Sequence, residues 1–384
     1  MPGWTPIFLM PNLRVAHAVT TDEMAIVPCT DDLLKPYETA HPQFRQFLGK
    51  FTDPFGAKVS PGVLLLSSDA PETFKSVEAV SSFRDLIALS VIPIQRARGI
   101  VHDGSHYVQY SDYFDFYPWV YHEGHQHLVC NTPAQVALHE VRVFRGQTSP
   151  ILSALDFEQR DLDSPLLNAL LERWRVRYGT RRPEWSDRAL FRSLNMAAAA
   201  SRIPAGVDLT TFSLGRNIGL WVSAFEILTH TGQDKVRLWD VYDRLGTIAW
   251  RRKKLQARRY KPTSSKTKRN LACWIYGEIY RVRNDFLHGN PVDGKSLTVK
   301  RSGRNLFSYA PILYRMALSG FLDIKPPITN SVEWSRARFD FHSNQGDVEE
   351  ALLSVLVSDA AFKADRAARL SRVRMVSRQV LRET

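Results

Sequence analysis

The chain has 384 residues, 44% of them hydrophobic and 23% charged, and carries a formal net charge of +12. Its length exceeds what one ordinary core accommodates, and its composition excludes a disordered or low-complexity polymer. The cationic excess points to polyanionic partners, nucleic acid above all, with an anionic membrane surface as the alternative.

No apolar stretch approaches the roughly 18 residues of a membrane span, so no membrane association through a spanning helix is expected. Pro2, Pro6 and Pro11 interrupt the N-terminal stretch, which therefore lacks the layout of a secretory signal. The three cysteines, Cys29, Cys130 and Cys273, are far apart and odd in number. That usage fits a reducing cytoplasm and argues against a disulfide framework or a zinc cage.

In chain order, the first part reads as mixed α and β. Met24-Ala25-Ile26-Val27 and Val63-Leu64-Leu65-Leu66 have the look of short buried strands, and helical apolar spacing runs over 72–98 up to Gly99. Aromatic-rich or alternating segments at 106–110, 114–121, 126–130 and 140–144 predict further strands. Beyond about 148 strand signals nearly vanish. Helices are expected over 165–178, 183–203, 211–231, 234–249, 270–288 and 305–322, with a last one running from 348 into the C-terminal tail. Between the fourth and fifth, 251–269 reads as a loop or frayed helix end. It holds ten cations, among them Arg251, Arg252, Lys253, Lys254, Arg258 and Arg259, and no acid. A second basic run, from Lys363 to Arg382, closes the chain. Each run alone fits a solvated charged segment as well as a nucleic-acid contact.

The helix over 270–288 carries the chemistry. Leu271, Ile275, Ile279, Val282 and Phe286 form an apolar stripe, while Arg281, Arg283, Asn284 and Asp285 fill the other faces. His288-Gly289-Asn290-Pro291 stops it, with Gly289 free to turn left-handed and Pro291 unable to continue. Arg283 and His288 lie about 140° apart around an ideal helix. Their side chains converge only if the helix loosens at His288 or a second copy brings its own pair alongside. Arg96 to His102 and Arg336 to His342 have comparable spacing but lack the Arg-Asn start, the preceding stripe and the His-Gly stop.

Ile279-Tyr280-Arg281-Val282-Arg283-Asn284-Asp285-Phe286-Leu287-His288-Gly289 resembles the motif of Apea-like HEPN proteins, which ends in histidine-glycine. Ala224-Phe225-Glu226 is similar to the alanine-leucine-glutamate of an earlier family helix, with Phe in place of Leu. The resemblance covers roughly 160–325 and leaves the N-terminal part untouched. The residue patterning itself places an α+β domain of unknown role over 1–148 before that stretch and a C-terminal extension with a basic helix over 326–384 after it. The resemblance implies an all-α HEPN-type helical bundle over 160–325.

It further implies a metal-independent endoribonuclease that uses the ribose 2′-hydroxyl as nucleophile and takes no cofactor. His288 would serve as general base or acid, and Arg283 would stabilise charge on the phosphorane. Asn284 would bind phosphate or orient His288. Glu226 would orient Arg283, or form a structural ion pair with it. Arg281 joins the six cations named above as a candidate RNA contact. The partners implied are RNA, a second copy of the chain, and a regulatory or antitoxin protein, in a cytoplasmic toxin or phage-defence effector. A non-catalytic HEPN module that binds RNA, nucleotide or protein remains the alternative, and a DNA-binding regulator built on the basic runs is a third.

Two other features compete. His122-Glu123-Gly124-His125-Gln126-His127, with His139-Glu140, invites a metal reading but departs from the metalloprotease helix pattern, leaving a polar strand-turn as the default. The run Tyr107, Tyr110, Tyr113, Phe114, Phe116, Tyr117 and Trp119 fits core packing better than base stacking.

Overall fold

The computed structural model describes residues 3–53, 55–102, 110–121, 128–130, 155–204, 211–233, 235–299, 302–326 and 332–357. The histidine cluster at 122–127 with His139-Glu140, the candidate strands at 106–109 and 140–144, and the basic run at 363–382 lie outside these residues. A small antiparallel sheet comes first, and a largely helical region follows. The chain divides into two compact units, each assembled from alternating stretches.

The first unit takes Met1–Ala88, Tyr110–Leu162 and Leu170–Asp187. Its sheet has the order β1-β5-β4-β3, built from β1 (Trp4–Met10), β3 (Val19–Thr20), β4 (Met24–Pro28) and β5 (Gly62–Ser67). Alternation puts Leu9, Ala25, Val27, Val63 and Leu65 on one face. There they pack with Phe44, Phe47 and Phe51, brought by helix α2 (Pro42–Leu48) and the residues after it. Helix α1 (Lys35–Ala40) precedes α2. Strand β1 is an edge strand, which is why Pro6 is tolerated in it, and its register shifts between Pro6 and Phe8. Strands β2 (Leu13–Val15) and β8 (Leu155–Phe157) pair in parallel, and β6 (Trp119–Tyr121) and β7 (Leu128–Cys130) pair antiparallel. The stretch expected as a strand over 114–121 is corrected. A 3-10 turn over Ser111–Phe114 enters it, Tyr117 makes an isolated antiparallel bridge to Leu9, and Pro118, with no amide to donate, separates that bridge from the strand Trp119–Tyr121.

The second unit takes Leu89–Gln109, Asp163–Ala169 and Arg188–Thr384. Helices α3 (Val77–Val101), α4 (Ser164–Gly179) and α5 (Trp185–Ala200) each contribute residues to both units. The rest of the helical region is α6 (Thr211–Thr229), α7 (Leu238–Gly246), α8 (Lys253–Ala257), α9 (Leu271–Leu287), α10 (Leu306–Phe321) and α11 (Val332–Ser354). Helix α9 packs against α6, α7 and α10, and α10 against α6 and α11. The apolar stripe read from the sequence is what α9 buries: Leu271, Ile275, Ile279 and Val282 are inaccessible to solvent. One buried polar network crosses this unit. Arg315 on α10 donates to Asp163 (2.7 Å) and Gln345 (2.5 Å), and Gln345 donates to Glu349 (3.0 Å). Among the described residues no helix is long and apolar enough to cross a membrane.

Candidate active site

Helix α9 is framed at both ends by side chains suited to the job. At its start Asn270 accepts from the Cys273 amide (3.0 Å), satisfying one of the orphan donors of the first turn. At its end the His288 amide still donates to the Asn284 carbonyl (2.9 Å). Gly289 then turns left-handed at φ +70°, and the Asn290 amide returns to the Asp285 carbonyl (3.0 Å), closing a Schellman stop. The helix therefore ends at Leu287, and His288 is its C-cap, with φ −93° and ψ 8°, before the chain turns away.

Arg283 is half-buried at the edge of the α6–α9 contact. Its guanidinium donates to Asn284 Oδ1 (3.0 Å) and lies 5.7 Å from the centre of the Tyr280 ring. Glu226 reaches the same neighbourhood from α6. Burial pushes its carboxyl up from the ordinary carboxylate value, and the Arg283 charge partly offsets that shift. No ion pair joins the two among the described residues. Phe225 beside Glu226 locks the helices together, edge-on to Tyr276 of α9 (5.0 Å) and Tyr314 of α10 (5.4 Å).

The structure thus brings Arg283, Asn284 and Glu226 into one neighbourhood. It does not bring His288 into it. The His288 side chain is exposed and makes no hydrogen bond or ion pair among the described residues. Next to it Leu287 is 63% exposed, and Phe212 of α6, 71% exposed, stands edge-on to Phe286 (6.3 Å).

Two tyrosines outside the candidate site residues, Tyr276 and Tyr280, belong to this neighbourhood. Tyr276 is fully buried and its hydroxyl has no hydrogen-bond partner among the described residues. Burial first, then the Glu226 charge, push that hydroxyl far above the ordinary phenol value. Tyr280 lies under Arg283. The signal was available: Tyr276 and Tyr280 stand seven and three residues before Arg283, on its side of the helix.

The cations expected to meet RNA have varied surroundings. Arg281 is held by Glu278 (3.3 Å) and Asp285 (3.0 Å) on its own helix. Arg251 donates to the His342 carbonyl (2.9 Å), and Arg252 pairs with Glu350 (2.9 Å). Arg259 donates to carbonyls of its own turn. Lys253 and Arg258 are exposed, and the Lys254 side chain is outside the described set. Among the described residues no three His, Cys, Asp or Glu side chains gather as a metal-holding group.

No protein-family model, curated protein or solved structure matches this chain.

Proposed function

We propose that the chain is an endoribonuclease of the HEPN type, cutting RNA with the ribose 2′-hydroxyl as nucleophile. The motif resemblance supplies the reaction. The observation that carries it is the half-buried Arg283, bonded to Asn284 and facing Glu226, one turn before an exposed histidine at a helix stop. A guanidinium held in this way is pre-oriented for charge developing on a phosphorane. An exposed imidazole is free to accept the 2′-hydroxyl proton or to protonate the departing 5′-oxygen. In the balanced step, the 2′-oxygen bonds to phosphorus, the bond from phosphorus to the 5′-oxygen breaks, and the proton passes to that oxygen.

Because no hydrogen bond or ion pair joins Arg283 to His288 among the described residues, a second copy of the chain is the favoured route by which histidine and arginine meet, with further loosening of the helix end at His288 as the other. Exposed Leu287 and Phe212 supply apolar surface for that contact. Control by a regulatory or antitoxin partner, and action as a toxin or phage-defence effector, belong to the same reading.

The test is cleavage of end-labelled RNA by the purified protein in EDTA. Cleavage is expected, with losses on the order of a hundredfold or more in both Arg283→Ala and His288→Ala. Full activity in His288→Ala overturns the mechanism. A second reading, a HEPN module that binds RNA without cutting it, is favoured by the absence of any bond between Arg283 and His288 among the described residues. Binding without cleavage would select it.

A further inference from the structure

The basic segment 251–269 is braced along its length. At its start the buried Glu349 carboxylate of α11 accepts the backbone amides of Arg251 and Arg252. In its middle, the Tyr260 and Arg269 backbones exchange two hydrogen bonds of 2.7 Å, closing the stretch between them. Within that stretch Pro262 and Thr263 lie against α9 at Gly277. A Cβ there would come within 2.7 Å of the Tyr242 hydroxyl and 3.0 Å of the Thr263 amide. Ser264 holds φ +58°, a left-handed conformation that costs a non-glycine residue on the order of 1 kcal/mol. The next residue, Ser265, ties the turn by accepting from the Thr267 amide. At the far end Asn270 both caps α9 and donates to the Leu245 carbonyl (2.9 Å).

The cations that these braces present are largely uncommitted. Lys253, Arg258, Lys261, Lys266 and Lys268 are exposed and have no ion-pair partner among the described residues. A solvated charged tail needs no such bracing, and like charges held close repel one another. A fold that fixes them with a buried carboxylate and a left-handed serine holds positive charge in place for a polyanion. In their midst two half-buried rings meet, Tyr260 of the segment and Trp274 in the first turn of α9, with centroids 6.0 Å apart. Phosphate-binding cations interleaved with partly exposed aromatic faces are the combination that grips a single strand, whose unpaired bases can stack. Duplexes keep their bases stacked on one another and offer the rings nothing.

We propose that segment 251–269 and Trp274 form a platform for single-stranded RNA, with Lys261, Lys266 and Lys268 on phosphates and Tyr260 and Trp274 under bases. Arg251 and Arg252 act there as structural anchors. The choice of RNA over DNA rests on the ribonuclease reading; the preference for a single strand does not.

The experiment is a binding titration of the full chain with a 2′-O-methyl single-stranded oligonucleotide, with the duplex of the same sequence, and with anionic phospholipid vesicles. The 2′-O-methyl strand has no free 2′-hydroxyl, so binding is read whether or not the protein is a nuclease. The single strand is expected to bind more tightly than the duplex. In the Lys266→Gln/Lys268→Gln variant, whose changes are on the surface, the salt dependence should flatten by about 0.7 in log–log slope per lysine. Trp274→Leu, which keeps an apolar side chain, should weaken single-strand binding on the order of tenfold and leave duplex binding unchanged. Equal or tighter duplex binding, an unchanged salt slope in the double-lysine variant, or binding to vesicles alone overturns the proposal.

Discussion

At the scale of single residues, Glu226 is the most informative. Its carboxyl is pushed above its ordinary value of 4.5 chiefly by burial, with Arg283 opposing the shift. The folded state therefore holds this proton more tightly than the unfolded chain does. Stability is unaffected by Glu226 below the unfolded value and falls as pH rises through the folded one. Glu226→Gln should remove that fall, leaving the variant at least as stable as the parent at neutral pH by denaturant melts. On the proposed ribonuclease reading it should also cut activity, since Arg283 loses the charge that Glu226 places near it. Lower stability at pH 7 together with unchanged activity would contradict this assignment. As candidates, Arg283, Asn284 and His288 stand out in the sequence because the helix stripe and the His-Gly-Asn-Pro stop frame them, and both the stripe and the stop are present in the fold. Tyr276 was not, since a tyrosine at a core position reads as packing until the groups near its hydroxyl are known.

At the scale of elements, the helices of the second unit were readable from apolar spacing and caps, and their ends shifted by a few residues at most, except in α7 and α11 and in the short α8, which lies in the stretch read as a loop or frayed helix end. Helix α7 is shorter than its spacing suggested, and α11 begins well before Val348, because its early turns are too polar to show a stripe. The first unit was less legible. Strand β1 carries Pro6 and gave no strand signal, yet an edge strand accommodates that proline, and strands of two or three residues such as β2 and β3 show no periodicity at all. Asn270 offers an element-level test, since one buried amide both caps α9 and ties it to the Leu245 carbonyl. Asn270→Ala should destabilise the fold by about 1–2 kcal/mol and loosen the adjoining basic segment, read as faster amide exchange over 260–269. Unchanged exchange there would contradict the bracing described above.

At the scale of the whole molecule, the two units interleave along the chain, an arrangement a change of composition near one position does not announce. Such long-range closure rests on partners distant in sequence, as in the buried Arg315–Asp163 pair. Arg315→Ala would strand the Asp163 carboxylate in the interior and should cost about 3–5 kcal/mol by chemical denaturation. A loss below about 1 kcal/mol would show the pair to be better solvated than its burial indicates. Cys273 lies in the same unit, and burial pushes its thiol up to about 12. It should resist alkylation at neutral pH until the protein unfolds.

The central claim is that Arg283 and His288 serve transfer to a 2′-hydroxyl. Its most direct measurement is the end group left on RNA cut in EDTA, with His288→Ala as control and circular dichroism to show that the variant is folded. Expected are a 2′,3′-cyclic phosphate and a 5′-hydroxyl from the parent, no cut at a position where a 2′-deoxyribose is substituted, and no cut by the variant. A cut that persists at the deoxyribose, or the same products from His288→Ala, would contradict it.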